Sequence, residues 1–114
     1  MYKKILNNVL LSNKPSLGIY KLMETKEMIN IIPEILKIKG FEQQTPYHDK
    51  DVFEHTIAVL DEISPKLNLR MAALLHDIGK PDCFSVDDKG RGHFYGHHIK
   101  SAEISEIILQ RLGY

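Results

Sequence analysis

Apolar residues recur along this chain at the spacing of a helical face. Ile5, Leu6, Val9 and Leu10 stand three and four apart, which predicts a short amphipathic helix over residues 3–12. The breaker cluster Asn13-Lys14-Pro15-Ser16 interrupts it, and residues 17–23 read as a second helix. Thr25 is the expected cap of a third segment carrying Met28, Ile29 and Ile32. Pro33 restarts that segment as a helical turn over residues 34–39, which Gly40 closes. Residues 43–50 are polar and irregular, with a turn at Thr45-Pro46. Asp51 then caps a helix over 52–63, with Glu54 three residues on as in a capping box. Val52, Thr56, Val59, Leu60 and Ile63 share one side of it, and Ser64-Pro65 ends it. Asn68 is the expected cap of the next helix. There Leu69, Ala72, Ala73, Leu75 and Ile78 spread around most of the circumference, the pattern of a helix buried at the centre of its domain.

Gly79 stops this central helix. Within the loop 80–96, Cys83-Phe84-Ser85-Val86 and His93-Phe94-Tyr95 flank Asp87-Asp88-Lys89-Gly90, which predicts a small hairpin turning at Lys89-Gly90. Gly90, Gly92 and Gly96 mark backbone freedom or close approach. A last helix over 97–112 carries Ile99, Ala102, Ile104, Ile107, Ile108 and Leu112, with Gly113 as its C-cap. The fold class is therefore all-α, a helical bundle with a hairpin-like loop insertion.

Composition narrows the setting. The 114 residues are 43% hydrophobic, enough for one domain with one core. Fifteen basic and fifteen acidic residues cancel, so the chain lacks the global basic excess that favours non-specific nucleic-acid binding, while local basic patches stay open. Cys83 is the single cysteine, which excludes an intrachain disulfide and a Cys-rich zinc site. The first residues are too polar for a signal peptide, and no run approaches the roughly 18 apolar residues of a membrane span. A cytoplasmic protein with no membrane association is expected.

Six histidines stand at positions 48, 55, 76, 93, 97 and 98. Histidine is the commonest metal ligand and the natural proton carrier near neutral pH. His55 falls one turn after Val52 and one before Val59, near the buried face of its helix. His76 and Asp77 end the most apolar helix, where each is costly to desolvate without a partner. A divalent ion would partner both, since imidazole nitrogen and carboxylate oxygen suit first-row metals. The dipeptide alone supports a buried His–Asp hydrogen bond without an ion equally well.

His55, then Leu74-Leu75-His76-Asp77-Ile78-Gly79-Lys80, then Gly96-His97-His98-Ile99-Lys100-Ser101-Ala102-Glu103-Ile104, resemble the HD superfamily of metal-dependent phosphohydrolases. The resemblance implies that His55, His76 and Asp77 hold a metal. It also implies that a further histidine at a helix start holds a second one. His98 fits that pattern, with Ile99 in place of Pro and Ser101 in place of Gly, and His97 is its nearest rival. The strings from Pro46 to Thr56, from Leu69 to Pro81 and from Gly90 to His98 narrow the likeness. They look like the HD region of bacterial tRNA nucleotidyltransferases and poly(A) polymerases, as does the stretch from Leu10 to Glu34.

Residues 1–42 are then expected to be an N-terminal helical extension and residues 43–114 an HD core. HD domains take a final Asp from a later helix, and no Asp follows Asp88, so either Glu103 or Glu106 stands in for it or, the stronger expectation, the core stops short of that helix. No Gly-Ser-based nucleotidyltransferase head is present in these residues. The expected cofactor is one or two divalent ions, from among Mn, Fe, Ni, Co, Mg and Zn. The expected activity is phosphohydrolysis or phosphodiester cleavage of nucleotides or phosphorylated RNA ends, with tRNA as a partner. Asp77 and Lys80 are its catalytic candidates, and His48, Arg91, His93 and His97 could reach substrate. The alternative is a non-catalytic RNA-binding or assembly module, in which Lys14, Lys21, Lys37, Lys39, Lys66, Arg70 and Arg91 would matter more than any metal.

Overall fold

The computed structural model describes residues 1–41 and 51–114; His48 and the Thr45-Pro46 turn lie outside them. Among the described residues seven helices run in chain order: α1 Tyr2–Leu10, α2 Pro15–Glu24, α3 Met28–Ile31, α4 Ile35–Ile38, α5 Val52–Glu62, α6 Leu67–Leu75 and α7 His97–Leu112. A 3₁₀ turn at Lys80–Cys83 leads from α6 into the antiparallel hairpin β1 Phe84–Val86 and β2 Gly92–Phe94. The all-α class with its small hairpin is thus the observed one. The hairpin register pairs Phe84 with Phe94 and Val86 with Gly92, and Gly90 takes a left-handed φ of 77° in the turn.

Local chemistry explains the helix starts, with two corrections. Asp51 caps α5 as its position predicts, its side chain accepting from Glu54 N at 2.7 Å, while its second oxygen accepts from Gly40 N. Thr25 does not cap α3. It terminates α2 and turns its hydroxyl back to the Leu22 carbonyl, after which Lys26 adopts a φ of 66°. Asn68 does not cap α6 either, because that helix already begins at Leu67 after an extended Lys66. Pro15 opens α2, and the free donor at Ser16 N is satisfied across the core by Asp61 of α5 at 2.8 Å.

One core runs through the described residues. Leu6, Leu10, Ile19, Met28, Ile31, Ile35 and Ile38 from α1–α4 pack with Phe53, Ile57 and Leu60 of α5, Leu74 of α6 and Ile108 of α7. The N-terminal helices therefore supply much of the interior that supports α5 and α6. Arg70 also belongs to this interior. It is 4% exposed and donates to the carbonyls of Leu10, Ser12 and Ile63, so it is not the surface cation that the RNA-binding alternative counted.

The expectation that α6 is buried all round is corrected as well. Met71, Ala73, Leu74 and Leu75 face inward, but Leu69 is 49% exposed and Ala72 is open. No described element covers that outer face. It borders a groove of about 490 Å³ against α7, with Leu67, Met71, Ala72, Ala102 and Leu109 in its walls.

Candidate metal centre

The last turn of α6 and the first turn of α7 meet at Asp77. After Leu75 the chain makes two tight turns, with Ile78 N bonded to Leu75 O and Lys80 N bonded to Asp77 O. These turns drive the Asp77 carboxylate inward, where the residue is 4% exposed. Gly79 permits α7 to approach: its N–H donates to Ser101 Oγ at 2.9 Å, and a Cβ at Gly79 would lie 2.6 Å from Ser101 N. Gly96, left-handed at φ 75°, then sets the direction in which α7 begins.

Four cationic or cation-seeking groups surround that carboxylate or stand near it. His76 Nε2 is 3.1 Å from Asp77 Oδ2, Lys80 Nζ is 3.3 Å from the same oxygen, and His97 Nε2 is 3.5 Å from Oδ1. His55 comes from α5, its ring centroid 6.1 Å from that of His76. One ligand atom from each of His55, His76 and Asp77 lies within 4.8 Å of the others, close enough for a single ion to be held by all three.

The imidazoles share one arrangement. His76 Nδ1 lies 2.6 Å from the Ala73 carbonyl, and His97 Nδ1 lies 2.9 Å from the Phe94 carbonyl. With Nδ1–H donating to a carbonyl, each ring aims Nε2 at a carboxylate oxygen. Two lone pairs then face each other unless a proton or a metal ion lies between them. Orientation of a histidine by a backbone carbonyl on its second nitrogen is the usual setting of a metal ligand. The donor set of two imidazoles and one buried carboxylate therefore fits a divalent first-row ion.

Electrostatics agree with the geometry. Burial pushes the Asp77 carboxyl up, but the hydrogen bond and charge of His76, together with Lys80, outweigh it and hold it at about 2. Asp77 is thus an anion across the neutral range. The Asp77 hydrogen bond raises the His76 imidazole above its ordinary value, against the opposing effect of burial.

The remaining candidates spread outward from this point. His97 and His98 both lie outside the His55–His76–Asp77 group. His98 lies farther from the centre. Its ring centroid is 3.9 Å from that of His97, and with His76 it lines the α6–α7 groove. His97 is the histidine of this pair whose ring turns to Asp77. Lys80 Nζ also sits 5.1 Å over the Phe94 ring, which packs against Phe84 and Phe41 beneath the hairpin. His93 pairs with Asp87 on the hairpin at 2.7 Å, and Arg91 is exposed on the same turn. Phe94 and Ser101 also contribute, through the carbonyl on His97 and the hydroxyl on Gly79, and neither carries a chemical signal of this in the sequence. The closest signal was the run of glycines around the hairpin, which marks close backbone approach without naming the partner.

Comparison with known proteins follows the same lines. The family model described as "HD domain" matches residues 52–114, more than half of the chain. The chain belongs to the HD domain family. It is 41% identical over 87 residues to the A-adding tRNA nucleotidyltransferase of Deinococcus radiodurans, covering 71% of this chain and 20% of that protein. A multifunctional CCA protein of Aromatoleum aromaticum is 33% identical over 107 residues, covering 90% of this chain and 26% of the relative. The CC-adding tRNA nucleotidyltransferase of Thermus thermophilus is 32% identical, covering 94% of this chain and 26% of the relative. The chain thus spans about a fifth to a quarter of the length of these curated relatives. No solved structure gives a significant match. Among the described residues, no helix is long and apolar enough to cross a membrane.

Proposed function

We propose that this domain is an HD-type metal-dependent phosphohydrolase or phosphodiesterase acting on nucleotides or phosphorylated RNA ends. The observation that carries the reading is the pair of carbonyl-oriented imidazoles, His76 and His97, both aiming Nε2 at the buried Asp77 carboxylate. His55, His76 and Asp77 are the ligands of the proposed ion. The family pattern gives His98 to a second ion, while His97 is the ring placed beside Asp77. When bound, a divalent ion supplies positive charge for phosphoryl oxygens and acidifies water.

The protein's own groups account for the rest of the proposed chemistry. The Ala73 and Phe94 carbonyls keep the His76 and His97 rings turned toward the ionised, buried Asp77 carboxylate. Lys80, 3.3 Å from Asp77 and 13% exposed at its side chain, is a cation at the edge of the centre that a phosphate oxygen would meet. His97 begins α7 with its ring beside Asp77, placed to contact the substrate. Arg91 and His93 stand farther out on the hairpin, as contacts for the remainder of a nucleotide.

The test is metal analysis of the purified protein with a phosphatase and cyclic-nucleotide phosphodiesterase panel, repeated on the His76→Ala/Asp77→Ala double variant. Loss of both metal and turnover is expected. Full metal stoichiometry in the double variant would remove the site assignment.

A second reading is favoured by the relatives themselves, which are named as tRNA nucleotidyltransferases and CCA proteins. In it the domain is a non-catalytic body that binds tRNA or assembles with a catalytic partner. A gel shift with tRNA that survives the double substitution, alongside an inactive phosphoesterase panel, would select this reading.

A further inference from the structure

The hairpin carries an exposed aromatic pair that the candidate centre does not use. His93 lies in β2 and Tyr95 in the turn that follows it. Phe94 turns to Phe41 and Phe84, while His93 and Tyr95, two apart, stack on each other with ring centroids 5.0 Å apart and planes only 9° from parallel. Tyr95 is nevertheless 73% exposed. Stacking on the histidine thus leaves most of the tyrosine in water, and burial is not what maintains the pair.

The orientation of the histidine is fixed from the turn. Asp87 Oδ2 bonds His93 Nε2 at 2.7 Å, while Asp87 Oδ1 accepts from Lys89 N at 2.9 Å and Arg91 N at 3.0 Å. The backbone closes the same turn through Asp87 N to Arg91 O and Gly90 N to Asp87 O. One carboxylate therefore holds the turn and one exposed ring together, and that ring backs the tyrosine. A flat, preoriented ring in water loses little freedom when another flat ring stacks on it.

We propose that Tyr95, backed by His93, is a stacking subsite for a nucleobase. Bases stack on aromatic side chains regardless of sequence, because every base has a π-face. The surroundings favour a nucleotide over other flat ligands. Arg91, exposed on the same turn, is a cation for a phosphate. Tyr95 is also two residues before His97, so their Cα atoms lie within roughly 7 Å, and His97 reaches Asp77. The subsite therefore adjoins, along the chain, the histidine that reaches Asp77. The substrate class named here rests on the phosphoester reading above, although base binding itself needs no metal.

The experiment is an NMR titration of adenosine into the isotope-labelled chain in the presence of EDTA. Saturable shifts at Tyr95 and His93 are expected. Tyr95→Ala should weaken binding about tenfold, equivalent to ~1.4 kcal/mol and within the range of a base–aromatic stack, while Tyr95→Phe keeps it. Ribose 5-phosphate, which has no base, should leave the two rings unshifted. Adenosine binding that is undetectable at millimolar concentration, or unchanged in Tyr95→Ala, overturns the proposal. Adenosine monophosphate and an adenosine trinucleotide are compared in parallel. Tighter binding of the trinucleotide identifies single-stranded RNA as the source of the base, and equal binding identifies a free nucleotide. Failure of the metal assignment would appear in the His76→Ala/Asp77→Ala variant and leave this titration unaffected.

Discussion

Ser101 Oγ accepts the N–H of Gly79 at 2.9 Å, and through this contact the turn that carries His76 and Asp77 is joined to the start of α7. The glycine is needed for proximity. Its φ is an ordinary −90°, yet a Cβ there would lie 2.6 Å from Ser101 N and 2.9 Å from Lys100 C. Backbone on both sides cannot yield as a flexible side chain would. Gly79→Ala is therefore expected to destabilise the fold by about 1–3 kcal/mol, the range of an overpacked interior, and to move His97 away from Asp77. Ser101→Ala, which leaves the Gly79 donor buried and unpaired, should also cost about 1–3 kcal/mol. Denaturant midpoints of the two variants check both, and an unaltered midpoint for Gly79→Ala would contradict the close approach.

Arg70 poses a different test, because a basic residue counted as a surface group is a tie between three chain segments. Its Nη1 is 2.6 Å from both the Leu10 and Ser12 carbonyls, and its Nε is 3.2 Å from the Ile63 carbonyl. Hydrogen bonds to a charged donor contribute about 1.5–3 kcal/mol each. Arg70→Ala should then cost about 3 kcal/mol or more, a large part of a small domain's stability. Lysine has no planar fork to span the carbonyls, so Arg70→Lys should recover only part of the loss. Urea unfolding followed by circular dichroism measures both.

These cases show which features were legible in the residue pattern. The helical spacing of Leu6, Leu10, Val52 and Leu60 predicts buried faces because a helix places residues three and four apart on one side, whereas Phe53 and Ile57, also buried in α5, fall outside the face that spacing predicts. The Asp51 cap is equally legible, since its partner Glu54 N is three residues away. Thr25 and Asn68 have the chemistry of caps, but which residue terminates a helix depends on turns set by the packing around them. The burial of Arg70 is not legible, because charge alone does not reveal the carbonyls of Leu10 and Ser12, far away in the chain, converging on it with that of Ile63. The choice between His97 and His98 depends on the starting angle of α7. Adjacent helical residues point about a quarter-turn or more apart, so the Gly96 conformation decides which ring meets Asp77.

The hairpin turn gives a pH prediction. His93, with help from the Arg91 and Lys89 amides, holds the Asp87 carboxyl down at about 2, against an ordinary value of 3.8. A carboxyl lowered in the folded state stabilises it above the unfolded value and loses that contribution as pH falls through the folded one. The stability that the Asp87–His93 lock contributes should therefore be complete at neutral pH and decline below about 4, while the lock itself opens in the folded protein with a midpoint at about 2. Amide shifts of Lys89 and Arg91 across an acid titration report it. Asp87→Asn should flatten those titration curves, and movement centred near neutral pH would show that Asp87 is not the controlling group.

The centre itself supplies the last test, because sequence pattern and geometry favour different neighbouring histidines. Both histidines lie outside the group formed by His55, His76 and Asp77, but His97 Nε2 lies 3.5 Å from Asp77 Oδ1 with its Nδ1 on the Phe94 carbonyl. A histidine beside a bound ion, as ligand or as orienting partner, typically changes affinity about 10–100-fold when removed. His97→Ala should therefore weaken a first equivalent of Mn²⁺ or Zn²⁺ by about that factor, with His76→Ala and Asp77→Ala weakening it further. His98→Ala should leave the first equivalent alone and remove a second one, as the family pattern for two ions requires. Competition titrations against a chelator separate the two effects, because affinity and stoichiometry are read from the same curve. If His98→Ala weakened the first ion and His97→Ala did not, the ring beside Asp77 would be a structural hydrogen-bond partner. The pattern-based ligand would then be the working one.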